Sequence, residues 1–286
     1  MYGIRRQPFL RVALAGLIVV ILFSIYAPLA WLAISSVSTR AELLSKPPHW
    51  IPRKPTLEHY ANILTTRPDA PDTARVFRRA LLNSFIVSSS VTMISLLAGI
   101  PAAYAFARIN FKGRRGAMLS ILGTRMLPAI SIVIPLYMIA ARLGVVDTRT
   151  VLVVLYLTFT LPFVIWIMAS FFQTIPLELE DAARIDGCTR LGTLWRVILP
   201  ISGPGLASTI IFAFLLAWDE FFFALIFTST EAAKTVPLAI AEFTGRYTVD
   251  YGAMTTGGVL AAIPPILIAL LFQRYIVSGL TAGAVK

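Results

Sequence analysis

The sequence predicts an all-α membrane protein of six transmembrane helices, with a helix-elbow-helix segment on the cytoplasmic side between spans four and five. Three observations carry that prediction. Of the 286 residues, 57% are hydrophobic and 14% charged, with a mean hydropathy of +0.79, which lies outside the soluble globular range. The apolar residues gather in six runs, each long enough to cross about 30 Å of hydrocarbon at about 1.5 Å per helical residue. Between the fourth and fifth runs lies a polar island, residues 174–200, whose charges and glycine interrupt the apolar pattern.

Taken in order, the first run covers residues 12–34 and follows Arg5, Arg6 and Arg11. It exceeds the apolar region of about 7–15 residues typical of a cleavable signal, so it reads as a span. Residues 35–79 are polar and proline-rich around PPHWIPRKPTLEHY, predicting an extended excursion with a short helix near His59–Leu64. The second run, 80–107, leads into a basic turn of Arg108, Lys112, Arg114 and Arg115. The third, 117–141, is interrupted by Arg125, Pro128 and Pro135, and a short turn separates it from the fourth, 151–172. The fifth, 201–227, carries Trp218, Asp219 and Glu220 near its far end; the sixth, 251–273, contains Pro264 and Pro265.

Six spans put both termini on one side. Lysine and arginine number twelve on each side, but eight of one set lie in the long 35–79 loop, which weighs less than residues beside the spans. The expectation is therefore that the island and both termini are cytoplasmic.

The island has its own local logic. Pro176 suits a first helical turn, and Glu178, Glu180 and Asp181 suit the positive end of the helix dipole. Leu179, Ala182, Ala183 and Asp186 follow at helical spacing, which predicts the two alanines side by side on one face, and Gly187 suits a left-handed stop. Thr189 is placed to cap a second helix with an apolar stripe of Leu191, Leu194, Trp195 and Ile198, ending near Pro200. Small alanines between charges let another surface approach closely and in one orientation. Spacing alone fits a docking helix and an amphipathic loop on the bilayer equally well.

Several function classes drop out. The net charge of +11 follows from arginines at membrane boundaries rather than from nucleic-acid binding. A single cysteine, Cys188, allows no intrachain disulfide, and two histidines, His49 and His59, leave little for a metal. No phosphate loop occurs: the one Lys followed by Ser or Thr is Lys234–Thr235, with no glycine before it. The usual hydrolase motifs are also missing, so no enzyme is expected. What remains is intramembrane charge. Arg125 carries a cost of about 2.5–3.5 kcal/mol at mid-bilayer, which calls for a partner inside the bundle, snorkelling to a boundary, or contact with a passing solute. Asp219 and Glu220 either line a pathway mouth or pair locally.

Asp181-Ala182-Ala183, Gly187 and Val197-Ile198-Leu199-Pro200 resemble the EAA loop of bacterial ABC-importer permeases, whose pattern is E-A-A, three residues, Gly, nine residues, I-x-L-P. Asp replaces Glu and Val replaces Ile. NSFIVSSS, AAYAFAR, WDEFFFALIFT and the tail RYIVSGLTAGAVK look like the carbohydrate branch, in particular its maltose-type second permease, with WDEF where WNEF is common. The resemblance covers nearly the whole chain.

It implies a passive permease in a bacterial inner membrane, moving a sugar such as trehalose or maltose inward by alternating access. The implied partners are a second similar permease, two cytoplasmic ATPases that hold ATP and magnesium, and an extracytoplasmic sugar-binding protein. Glu180, Asp181, Ala182, Ala183, Asp186, Gly187, Leu199 and Pro200 would couple to the ATPases, with Gly279, Thr281 and Lys286 of the tail as further contacts. Arg125, Trp218, Asp219 and Glu220 are the substrate-pathway candidates. The competing expectation is a self-contained secondary carrier, which predicts paired acids or broken helices near mid-membrane.

Overall fold

A computed structural model describes residues 8–47, 50–65, 72–244 and 249–282. Among them the secondary structure is helical throughout, apart from one isolated antiparallel bridge between Thr244 and Val249. The chain divides into two units, residues 1–75 with 240–260, and residues 76–239 with 261–286.

In the first unit, helix Pro8–Ser36 supplies a membrane-length segment, Val12–Ser36, whose most apolar stretch is exposed and whose last residues, Ser35 and Ser36, are buried. Helix Arg40–Leu43 follows, closed by a reciprocal cap between Thr39 and Glu42. Glu42 also accepts the backbone N–H groups of Arg53 and Lys54, at 2.8 and 3.1 Å, which ties the proline-rich excursion down. The short helix runs Glu58–Leu64, close to its expected place. The hydroxyls of Ser36 and Tyr60 share a 2.7 Å hydrogen bond, and Thr256 donates to the Ser36 carbonyl at 3.2 Å. Gly252 lies against the imidazole of His59, so close that a Cβ there would come within 2.3 Å of the ring.

The second unit is built on Asp72–Arg108, Arg149–Gln173 and Gly203–Trp218. Glycines let these helices touch: a Cβ on Gly99 would lie 2.7 Å from Val164, and one on Gly205 would lie 2.4 Å from the Phe171 ring. The Ser95 and Thr160 hydroxyls hydrogen-bond across the buried seam at 3.0 Å. One apolar cluster gathers Tyr104, Met168, Phe172, Leu194 and Ile198; another gathers Val87, Leu152, Tyr156, Phe223 and Phe227.

Four helices are long and apolar enough to cross a membrane unaided: Val12–Ser36, Asp72–Arg108, Arg149–Gln173 and Tyr251–Gln273. The third expected span is not a straight rod, and the fifth is entered through a sharp turn from the island's second arm. Arg114–Met126 meets Ala129–Arg142 at 90°, and Arg190–Ile201 meets Gly203–Trp218 at 85°. The first break follows from Pro128, which has no N–H to give and holds Leu127 extended at ψ 121°. The expected fifth run also stops at Trp218 and resumes only at Phe222–Phe227. Glu220 explains that restart: its carboxylate accepts the N–H groups of Phe223 and Ala224 at 2.8 and 3.2 Å, two of the donors a helix start leaves open.

Candidate functional site

The elbow forms by the local chemistry that its residues carry. Helix Glu178–Ile185 has Glu178, Glu180 and Asp181 in its first turn. Pro176 stands just before it rather than inside the first turn. Gly187 adopts φ +85°, its N–H donates to the Arg184 carbonyl at 3.1 Å, and the N–H of Cys188 reaches back to Ala183 at 2.9 Å. This is a Schellman stop, which needs a residue indifferent to positive φ. Thr189 opens the second arm by accepting the Gly192 N–H at 3.1 Å.

One side of the first helix is fastened to the bundle. Glu180 is only 7% exposed; it accepts the Tyr104 hydroxyl at 2.9 Å and the Nε–H of Arg108, which also donates to the Ile175 carbonyl at 2.6 Å. Both side chains of this ion pair are 9% exposed. A charge pair this deep is tolerable because Tyr104 and the Ile175 carbonyl take up further hydrogen-bonding capacity. Glu180, expected to face an ATPase, is therefore turned inward as an anchor. The two alanines are not side by side: Ala183 is buried beneath the helix three residues after Glu180, whereas Ala182 faces out with Asp181, Arg184, Ile185, Asp186 and Gly187. The buried line runs through Glu180 and Ala183, three residues apart, because Tyr104 and Arg108 draw Glu180 inward and set the helix's rotation. Ile185 is 87% exposed at the tip.

The second arm departs similarly from its expected stripe. Leu194 and Ile198 are buried, while Leu191 and Trp195 are exposed. Residues Leu194–Ile198 form a π-helical turn, and the Leu199 N–H donates five residues back to Leu194. Pro200 offers no N–H to the Arg196 carbonyl, so the widened turn rotates the following residues. Leu199 is half-buried and Pro200 exposed.

Arg125 and Glu220, distant in sequence, line one cavity of ≈ 930 Å³ with Thr124, Thr158, Phe159 and Phe223. The Arg125 guanidinium lies 5.3 Å from the centroid of Phe163, a cation–π distance. The bend between Met126 and Ala129 and the helix restart at Phe222 both border this cavity. Irregular backbone at membrane depth is stable only where it lines such a space or is buried in protein. Trp218 and Asp219 do not line it: Trp218 is 3% exposed, stacks on Phe214 and donates to the Ala261 carbonyl at 3.2 Å, and Asp219 is exposed elsewhere. Gly279 and Thr281 continue the helix Tyr251–Ala282, while His49 and Lys286 lie outside the described residues.

At the far ends of these helices a polar clamp orders the loop after Phe227. Asp147, at φ +62°, accepts the N–H of Ser229 at 2.9 Å, the N–H of Thr230 at 3.1 Å and the Thr230 hydroxyl at 2.6 Å. Partial burial raises its pKa, but these donors and the Lys234 charge outweigh that and hold the carboxyl below the ordinary aspartate value. Asn83 donates to the carbonyls of Glu231 and Lys234 and accepts from Arg149 Nε at 2.8 Å. Sequence reasoning missed Asn83, Tyr104, Arg108 and Asp147 as organising residues. Only Asp147 left a signal, as a short polar residue in a tight turn; the others find partners 66 to 151 residues away.

Interrupted helices around a largely apolar cavity that carries one cation and one carboxylate fit a membrane permease, but they do not separate a motor-driven one from a self-contained carrier. Similarity does. Residues 95–282 match the model of the family described as binding-protein-dependent transport system inner membrane component. The chain is 41% identical over 260 residues to the trehalose/maltose transport system permease protein of Thermococcus litoralis, covering 91% of each. It is 40% identical over 263 residues to the trehalose transport system permease protein of Mycobacterium tuberculosis, covering 91% of this chain and 93% of that one. In fold it is similar to a chain from a bacterial ABC transporter involved in the import of alginate, with a TM-score of 0.79, 21% identity, and coverage of 96% and 99%. The chain belongs to the family of binding-protein-dependent transport system inner membrane components. It is a transport component rather than an enzyme.

Proposed function

We propose that this chain is one permease subunit of an ATP-binding-cassette sugar importer, and that its elbow is the point where separate ATPases drive it. In this reading six spans cross the membrane, the third bent and the fifth interrupted after Trp218, and residues 174–200 and both termini are cytoplasmic. A second permease completes the pathway, two ATPases bind ATP and magnesium, and an extracytoplasmic binding protein delivers the sugar. A disaccharide of the trehalose or maltose kind is the cargo, a choice supported by the names of relatives near 40% identity.

The observation that carries the mechanism is mechanical continuity. The exposed side of the elbow, Asp181, Ala182, Ile185 and Asp186, belongs to a helix whose other side is bolted to Arg108. The second arm, Arg190–Ile201, turns through 85° into Gly203–Trp218, which leads directly to Glu220 on the cavity wall. A displacement imposed at the elbow therefore reaches the cavity through helices rather than through loops. Closure of an ATPase pair around the exposed side would swing this wall and change which face of the membrane the cavity opens to.

The test is reconstitution of the chain with its co-purifying subunits. ATP hydrolysis should rise when the binding protein is loaded with trehalose or maltose and not with an unrelated sugar. Mild extraction that brings no ATPase subunit with the chain, or sugar uptake by this chain alone, would overturn the motor-driven reading in favour of a secondary carrier.

A further inference from the structure

A second cavity, ≈ 1010 Å³, opens on the turn between Arg108 and Arg114, lined by Lys112, Arg114, Arg115, Phe106, Phe111 and Leu119 among others. It is distinct from the cavity around Arg125, with which it shares no residue. Its chemistry is two-sided. Three cations stand in it, and among the described residues no carboxylate lies within ion-pair distance of Lys112, Arg114 or Arg115. Arg114 reaches only the neutral Asn110 side chain and the Ala107 carbonyl, at 3.3 and 3.4 Å. Beside them Phe111 and Leu119 are exposed apolar groups, and Phe111 leans on Phe106 with ring centroids 5.6 Å apart.

The cavity's position in the chain bears on its depth. The cations lie within a few residues of the end of one membrane-length helix, Asp72–Arg108, and Gln173, the last residue of another, lines the same cavity. On the proposed reading of these helices as membrane spans, the cavity sits toward the headgroup level, with positive charge that no carboxylate pairs beside exposed aromatic and aliphatic surface. A protein surface in water fits the charges but leaves Phe111 and Leu119 exposed. A free phosphate fits the charges but makes no use of the apolar wall.

We propose that this cavity binds one anionic phospholipid, its phosphate held by Lys112, Arg114 and Arg115 and an acyl chain lying along Phe106, Phe111 and Leu119. Each cation near an anionic membrane surface contributes an attraction equivalent to about a fivefold change in affinity, so loss of all three corresponds to about a hundredfold.

Native mass spectrometry of the full chain, extracted with whatever subunits accompany it, tests the proposal. After exchange into phosphatidylglycerol, the protein should retain one tightly held lipid that matched-chain phosphatidylcholine does not replace. The combined Lys112→Gln, Arg114→Gln and Arg115→Gln variant should lose it, and Arg115→Gln alone, a change at an exposed side chain that the fold does not need, should weaken retention about fivefold. Equal retention of phosphatidylcholine, or undiminished retention by Arg115→Gln, overturns the proposal. So does displacement of the lipid by inorganic phosphate, which would make this an ion site. If the combined variant keeps its lipid and instead sheds a co-purifying soluble subunit, the surface is a protein contact and the lipid assignment is wrong. None of these outcomes depends on which solute the permease carries.

Discussion

Gly187 is the residue at which a single methyl group matters most to the elbow. Its φ of +85° is open to glycine and costs a residue with a Cβ about 1–2 kcal/mol, more if it is β-branched. No atom crowds the position, so the effect of Gly187→Val is confined to the turn. The expected result is an assembled complex that hydrolyses ATP but takes up little sugar. Unchanged uptake would remove the elbow from the mechanism. Glu220 tests the other end. Glu220→Ala removes both the cavity carboxylate and the cap on Phe222–Phe227, whereas Glu220→Gln keeps a capping oxygen and removes the charge. Loss of uptake in both variants, with assembly intact in Glu220→Gln, assigns the charge to the pathway; normal uptake in Glu220→Gln leaves Glu220 a cap alone.

Asp147 supplies a pH prediction. Its carboxyl is held below the ordinary value, so the clamp is fully present above the unfolded-state pKa of about 3.9 and weakens as pH falls through the lower folded value. Hydrogen-exchange protection of the Ser229 and Thr230 amides should be constant near neutral pH and drop only in that acid range. In Asp147→Ala it should be low throughout; protection equal to the parent's would exclude the carboxylate as its source.

At the scale of elements, the Arg108–Glu180 pair decides how the elbow is held. Breaking a buried ion pair strands the surviving charge, so Arg108→Ala or Glu180→Ala should cost about 3–5 kcal/mol. Replacing both by methionine should recover most of that loss, read as thermal unfolding in detergent. If the double variant is no better than the singles, the pair is not what fastens the helix. Gly205 addresses the helix seam. Gly205→Leu drives a side chain into the Phe171 ring, and overpacking of this kind costs about 1–3 kcal/mol.

The elements also show what a sequence reveals. The Gly187 stop and the Thr189 cap were legible because each rests on one residue's backbone preference acting on its immediate neighbours. The inward turn of Glu180 was not, because its reason, Arg108, lies 72 residues away. The split of Ala182 from Ala183 has the same distant cause, because the anchor on Glu180 sets which side of the helix is buried. Hydropathy located all six apolar runs, but a running average is blind to direction and cannot register a 90° bend. Arg125 and Pro128 marked the third run as unusual without saying that the chain turns there.

At the scale of the whole molecule, the sequence resemblance to carbohydrate permeases was the strongest functional signal, and the family match bears it out. Interrupted helices around a cavity holding Arg125 and Glu220 serve carriers and importers alike.

The clamp around Asp147 and Asn83 has a thermodynamic corollary. Residues 228–235 are fastened by hydrogen bonds to the ends of other helices in the same chain, so their backbone freedom, about 1–2 kcal/mol per residue, is surrendered when the protein folds. Whatever approaches this face meets a surface already ordered, and association there carries no loop-ordering penalty. Loosening Asn83 or Asp147 would transfer that entropy cost to the encounter itself, slowing capture without altering a single contact in the bound state.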